Sequence, residues 1–290
     1  DPPVVFGVFF RRAAYEGGFS VLAGLEDLID TLEQLRFSRE DLDYLSSLGL
    51  FCKEFLAFLS SFRFTGTILA VREGSIVFPG EPLITVRASL IEAQLIESLL
   101  LNIVNFQTLI ATKAARIVTA SEGGKVLEFG LRRAQGFDGA MSASRAAFVG
   151  GASATSNTLA GRVLGIPVRG TMAHSWVMAF ESEEESFSRY AELYPESSVL
   201  LIDTYSTLDS GIEAAISVGR KLKEQGRSFG VRLDSGDLEY LSKKVRRRLD
   251  EAGLADATIT ASNELNEEIV HQLVTSGCPI DSWGVGTNMV

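Results

Sequence analysis

The chain has 290 residues, 46% of them apolar, with 37 acidic against 27 basic side chains and a net charge of −10. That is enough apolar material for one large α/β barrel or for two domains, while acidic residues spread along the chain argue against a general nucleic-acid surface, which needs a basic patch. No apolar run approaches the ~18–20 residues of a membrane span and no signal-peptide pattern opens the chain, so a soluble protein without membrane or nucleic-acid partners is expected. Cys52 and Cys278 lie far apart with no CxxC, and read as reduced thiols of a cytoplasmic protein.

The sequence opens at Asp1, beside a β-rich run over 4–10, and stops at Val290 directly after the strand-plus-turn DSWGVGTNMV. Such apolar, turn-forming ends predict a piece of a longer chain. Leu25, Leu28, Ile29, Leu32 and Leu35 recur at helical spacing, and 39–61 predicts two further short helices. From Phe62 the period changes: FTGTILAVREGSIVFPGEPLITVRA reads as short strands broken by Glu-Gly and Pro-Gly turns, a compact β module over 62–88. The stretch SLIEAQLIESLLLNIVNFQTLIATKAARIVTAS predicts one long helix, apolar around most of its circumference and therefore buried. Its polar stripe of Gln94, Ser98, Asn102 and Asn105 is expected to hydrogen-bond to a neighbouring element.

After Lys125 the rhythm becomes strand then helix. The runs VLEFG, AFVGGAS, IPVRGTMA, LLIDTY, FGVRLDSG, ATITASN and SWGVGT alternate with helical stretches such as SGIEAAISVGRKLKEQ and DLEYLSKKVRRRLDEAG. Such repetition predicts a (β/α) barrel, with a doubly wound open sheet as the alternative. The barrel is favoured because polar, Gly-rich chemistry follows nearly every strand, and a barrel gathers those ends at one mouth.

Each strand end carries its own chemistry. Arg132 and Arg133, beside Glu128 and Gln135, suit carboxylate or phosphate oxygens because guanidinium is a planar fork of donors; a surface salt bridge is the plainer reading. Gly150, Gly151, Ser153, Thr155, Ser156 and Asn157 suit an anion at a helix start or simply cap it. His174, one of two histidines, sits in the turn GTMAHSWV with Gly170 and Thr171, whereas His271 lies on a helix off its apolar face. Asp234 and Asp237, in RLDSGDL after Arg232, are able to hold Mg²⁺, accept ribose hydroxyls or stabilise positive charge, or else to cap the following helix. Asp203 in LIDTY converges on the same space. Gly284, Gly286 and Thr287 form a Gly-x-Gly-Thr turn of the kind that nests phosphate. Together these features describe a mouth for a polyanionic, ribose-like ligand with a metal.

The ordered set EFGLRRAQG, GTMAHSWV, LIDTY, VRLDSGDL, ASNELNE and GVGT resembles nicotinate phosphoribosyltransferase, as do FFRR, GGFSVLAGLE, REGSIVFPGEPL and LNIVNFQTLIATKAARI upstream. The resemblance implies a type II phosphoribosyltransferase fold. An open-faced α/β sandwich would occupy 1–120, and an irregular, incomplete α/β barrel 121–290. The family reaction joins nicotinate to 5-phosphoribosyl 1-diphosphate in NAD salvage, coupled to ATP hydrolysis through a phosphohistidine. It uses Mg²⁺, in a cytoplasmic homodimer. On this reading His174 is the phosphoacceptor, with Asp234 and Asp237 as catalytic carboxylates. Arg132, Arg133, Gly170, Thr171, Ser175, Asp203, Ser262, Asn263, Gly284, Gly286 and Thr287 bind substrate. Nicotinamide and quinolinate phosphoribosyltransferase are the neighbouring alternatives, and a non-catalytic nucleotide-binding barrel the distant one.

Overall fold

The computed structural model describes residues 1–290. The chain divides into two compact units, Asp1–Thr112 and Lys113–Val290, and the division falls inside the long helix rather than after it.

In the first unit the elements are β1 (Pro3–Val8), β2 (Ser20–Val21), α1 (Leu25–Gln34), α2 (Arg39–Ser47), α3 (Lys53–Ser60), β3 (Thr67–Ala70), β4 (Ile76–Val77) and β5 (Ile84–Ser89). The long helix α4 (Leu90–Ala120) follows. The segment 62–88 is not a module of its own. Strand β5 pairs antiparallel with β1 on one side and β3 on the other, while β4 pairs with β2. Helix α4 packs Ile96, Leu100 and Val104 against Leu22, Leu28, Ile84 and Val86. Its Thr112 and Thr108 hydroxyls accept from the backbone amides of Val21 at 2.9 Å and Ala23 at 3.1 Å. These buried amides lack ladder partners there, so the helix side chains supply the acceptors. The stripe of Gln94, Ser98, Asn102 and Asn105 is exposed instead of bonded to a neighbour. The expectation about apolar runs also needs correcting. Helix α4 is long and apolar enough by composition to cross a membrane, although 44% of its most apolar window is buried inside the protein.

The second unit contains β6 (Lys125–Glu128), α5 (Phe137–Val149), β7 (Ala154–Thr155), α6 (Thr158–Leu164), α7 (His174–Val177), α8 (Glu183–Leu193), β8 (Ser198–Leu201) and α9 (Ile212–Glu224). They are followed by β9 (Phe229–Leu233), α10 (Leu238–Glu251), β10 (Thr258–Ala261), α11 (Glu267–Thr275) and β11 (Ser282–Val285). The six strands form one parallel sheet in the order β7-β6-β11-β10-β9-β8. The first and last strands, β6 and β11, are thus neighbours, which curls the sheet. Two expected strands are absent. Ala147, Phe148 and Val149 of AFVGGAS end α5, because Ala140, Ala143, Ala146 and Ala147 bury a helical face. IPVRGTMA contributes only the isolated bridge of Val168 to Thr155. The core lies where Val231, Leu233 and Ile259 of the sheet meet Ile212, Ile216, Leu222, Val245 and Leu249 of the helices.

Within this unit Glu267 opens α11 and takes Lys113 Nζ at 2.7 Å and Arg116 Nε at 2.7 Å. Burial alone would raise the Glu267 carboxyl, but hydrogen bonds from Lys113, its own amide and Arg116 outweigh it and hold the group below its usual 4.5. A depressed carboxyl stabilises the fold above the unfolded value and loses that contribution as pH falls through the folded one. Glu267→Gln is therefore expected to lose roughly 2 kcal/mol at pH 7, the scale of hydrogen bonds to a charged group. The gap from wild type should close as pH drops below about 4.5. Urea melts across pH 3–7 would test this, and a gap constant over that range would refute it.

Candidate functional site

Parallel strands present their C-terminal ends on one rim, so the segments after β6, β9, β10 and β11 converge. They line a cavity of about 140 Å³ with Phe129, Arg132, Arg133, Arg232, Asp234, Ser262, Asn263, Glu264, Gly284, Gly286 and Thr287. Eight of these eleven are site residues expected from the sequence; Phe129, Arg232 and Glu264 join them only in the structure.

Arg232 organises the cavity. Its neighbours Val231 and Leu233 are buried in the core, so alternation along β9 turns the Arg232 side chain to the other face. There Nη1 donates to Thr171 Oγ1 at 2.6 Å, Nε to Ser262 Oγ at 2.8 Å and Nη2 to Asp234 Oδ1 at 2.7 Å. Its guanidinium carbon lies 5.8 Å from the Phe129 ring centre, within reach of a cation–π attraction. Ser262, buried, also donates to Asp234 Oδ1. Beside it Asn263 and Glu264 both take left-handed backbone, with φ of 83° and 22°. Such strain persists only where neighbours over-determine it. Here Asn288 Nδ2 donates to the Glu264 and Leu265 carbonyls at 3.0 and 3.2 Å.

Arg132 and Arg133 occupy the short turn Leu131–Arg133 after β6, exposed and without a carboxylate partner in the chain. With Arg232 matched by Asp234, and Glu264 the other carboxylate of the lining, these two arginines leave the cavity with a net positive charge. Their turn is anchored by Glu128, which is buried. It accepts from the Gly130 amide, from Ser144 Oγ at 3.0 Å and from Thr155 Oγ1 at 2.5 Å. Thr155 and Asn157 are accordingly structural, Asn157 capping α6 through the Ala160 amide at 3.2 Å.

His174 stands beside this cavity, not in its lining. Its Nε2 is 3.3 Å from Asp203 Oδ1, with the imidazole 39% exposed and the carboxylate side chain 1% exposed. Nδ1 has no hydrogen-bond partner in the protein. Asp203 lies two residues beyond β8, and its Oδ2 accepts from the Asp234 amide at 2.7 Å and from Ser235 Oγ at 2.6 Å. A single π-helical turn at Thr207–Gly211 packs against the chain just before Asp203, since a Cβ on Gly211 would lie 1.9 Å from the Ile202 carbonyl oxygen.

Several expected residues fall elsewhere. Gly170 and Ser175 are exposed outside the cavity, and a Cβ on Gly170 would meet nothing within 4 Å. Thr171 serves Arg232 rather than the lining. Gly284 is glycine because a Cβ there would lie 2.7 Å from the Phe129 ring, and Gly286 because one would lie 3.0 Å from the Phe129 carbonyl oxygen. Neither has positive φ, so the pair is no left-handed nest. Asp237 caps α10, accepting from the Tyr240 amide at 3.0 Å, and lines a separate cavity of about 370 Å³. Asp237→Ala is expected to cost about 1 kcal/mol of stability, whereas Asp237→Asn keeps a capping oxygen and should melt with wild type. If Asp237→Ala melted with wild type too, the cap would carry no weight.

A family model described as the nicotinate phosphoribosyltransferase (NAPRTase) N-terminal domain matches residues 1–105. A nicotinate phosphoribosyltransferase of Bacillus subtilis is 49% identical over 290 residues, covering 100% of this chain and 59% of its own length. One from Mycobacterium tuberculosis is 46% identical over 286 residues, covering 99% of this chain and 61% of its own length. The chain therefore spans about three fifths of the curated relatives it matches first. The crystal structure of human nicotinic acid phosphoribosyltransferase superposes with a TM-score of 0.89 at 32% identity, covering 98% of this chain and 68% of that one.

Proposed function

The chain belongs to the nicotinate phosphoribosyltransferase family, and we infer from its site that the protein joins nicotinate to 5-phosphoribosyl 1-diphosphate. The products are nicotinate mononucleotide and diphosphate, and the reaction is driven by ATP through a phosphohistidine. The observation that carries this reading is the pairing of a half-exposed His174 with the buried carboxylate of Asp203 beside an arginine-bearing cavity. The curled sheet, with β6 beside β11, accords with the irregular barrel of this family.

The geometry suggests which nitrogen reacts. With Nε2–H donated to Asp203, the lone pair is left on Nδ1, as in a nucleophile oriented by a third group. Attack of Nδ1 on the γ-phosphorus forms the N–P bond as the P–O bond to ADP breaks. No proton moves: the ring becomes cationic, the phosphoryl group dianionic, and Asp203 holds the new positive charge through Nε2–H. The dense charge so gathered changes the affinity for the ribosyl substrate.

In the transfer itself diphosphate leaves the ribosyl carbon, positive charge develops there, and the pyridine nitrogen attacks. Asp234, fixed by Arg232 and Ser262, is the carboxylate we assign to that positive centre or to the ribose hydroxyls. Arg132 and Arg133, without a carboxylate of their own, are the forks for the nicotinate carboxylate or a phosphate. No group of three or more His, Cys, Asp or Glu side chains is arranged to hold a metal ion. Mg²⁺ would be held by the substrate phosphates together with the Asp234 carboxylate. When bound it offsets the charge of the leaving diphosphate.

The whole protein incubated with γ-labelled ATP should take up acid-labile label on Nδ1 of His174, and His174→Ala should take up none. Undiminished label in His174→Ala would reject the phosphohistidine. Arg132→Ala and Arg133→Ala separate the substrates. One charge-assisted contact of about 1.5–3 kcal/mol corresponds to a roughly ten- to hundredfold rise in KM for nicotinate, with little change for nicotinamide. Equal loss on both substrates would remove the arginines from carboxylate recognition.

A further inference from the structure

The two halves of the site share one carboxylate. Asp203 turns Oδ1 to His174 and Oδ2 to the loop after β9, where the Asp234 amide and the Ser235 hydroxyl both donate to it, at 2.7 and 2.6 Å. The same loop places the Asp234 side chain on Arg232 and Ser262. Arg232 reaches on to Thr171, whose hydroxyl donates to the Met172 carbonyl at 3.3 Å, two residues before His174. The hydrogen bonds thus close a ring that runs from His174 through Asp203, Asp234 and Arg232 back to the His174 turn. Ser235, which is exposed, adds a second tie from the same loop to Asp203 beside this ring. It is followed by Gly236, whose φ of 75° lies in the left-handed region that glycine adopts at low steric cost.

We propose that Ser235 is a positioning residue that couples the charge state of His174 to the placement of Asp234. The inference rests on the phosphohistidine reading above. A cationic, phosphorylated ring binds Oδ1 more strongly than a neutral one, because charge-assisted hydrogen bonds are shorter and about twice as strong. Asp203 is buried and reoriented by that pull, and the loop follows because it is tied to Oδ2 at two points. The amide of Asp234 is the backbone tie, beyond the reach of mutation. The Ser235 hydroxyl is the side-chain tie. With the hydroxyl gone, the loop hangs from Asp203 by one bond and transmits less of the movement.

The test uses the whole protein and measures two quantities: label on His174 from γ-labelled ATP, and KM for 5-phosphoribosyl 1-diphosphate with and without ATP. In wild type ATP is expected to lower that KM. Ser235→Ala is expected to label to within about twofold of wild type and to keep the ATP-free KM, but to lose about tenfold of the ATP-induced decrease, the equivalent of one charge-assisted hydrogen bond. Ser235→Thr, which keeps the hydroxyl, should restore the decrease, and Ser235→Cys, a weaker donor of similar shape, should repeat the loss if the alanine variant fails to fold. An unlabelled wild type sinks the phosphohistidine reading itself. A labelled Ser235→Ala with the full ATP effect overturns the coupling alone. So does loss of label in Ser235→Ala, which would make the serine a prop for His174, and so does a raised ATP-free KM, which would make it a substrate contact.

Discussion

A carboxylate with almost none of its surface in water must be met by donors, and the site is arranged around meeting that demand at Asp203. Three donors reach it: the imidazole of His174, the amide of Asp234 and the hydroxyl of Ser235. They come from two separate segments of chain, so satisfying one anion fixes the turn that carries His174 against the loop that carries Asp234. Its price is paid in packing. The turn that follows must lie so close to Ile202 that only glycine fits at 211.

Arg232 meets the complementary demand. A guanidinium that is 14% exposed needs acceptors for its fork, and it finds Thr171, Ser262 and Asp234. Since Asp234 accepts from Arg232 and belongs to the loop held by Asp203, the cation and the buried anion stiffen each other. The parallel sheet makes this possible because alternation along β9 sends Arg232 to the face opposite Val231 and Leu233. The strained pair Asn263–Glu264 closes the same rim from β10.

Much of this is legible in the sequence, and the failures have physical causes. Strand ends with Gly, Arg, Asp and Ser identify most of the cavity lining, because parallel strands gather their C-terminal ends. Arg232 was visible as the polar residue between two core positions of a strand, but it reads as part of the pattern until its three acceptors are seen in space. Asp237 and Asp234 are equivalent on paper. Only the start of α10 shows that one is a cap. AFVGGAS reads as a strand because Phe and Val have strand propensity, yet small residues at helical spacing upstream draw it into α5. The stripe on α4 shows that polar residues at helical spacing mark a face without saying whether that face meets protein or solvent.

The contact of Gly284 with Phe129 has a consequence for how such sequences drift. A larger residue at 284 requires the ring at 129 to shift or shrink, since a Cβ would lie 2.7 Å from it. A smaller residue at 129, however, strips the aromatic face from Arg232. Neither position is free to change first. The pair forms an epistatic lock in which the steric requirement of a strand and the electrostatic requirement of a binding cavity fall on the same ring. A chain that changes the pair together keeps Arg232 on its three hydrogen-bond acceptors and gives up only the aromatic face.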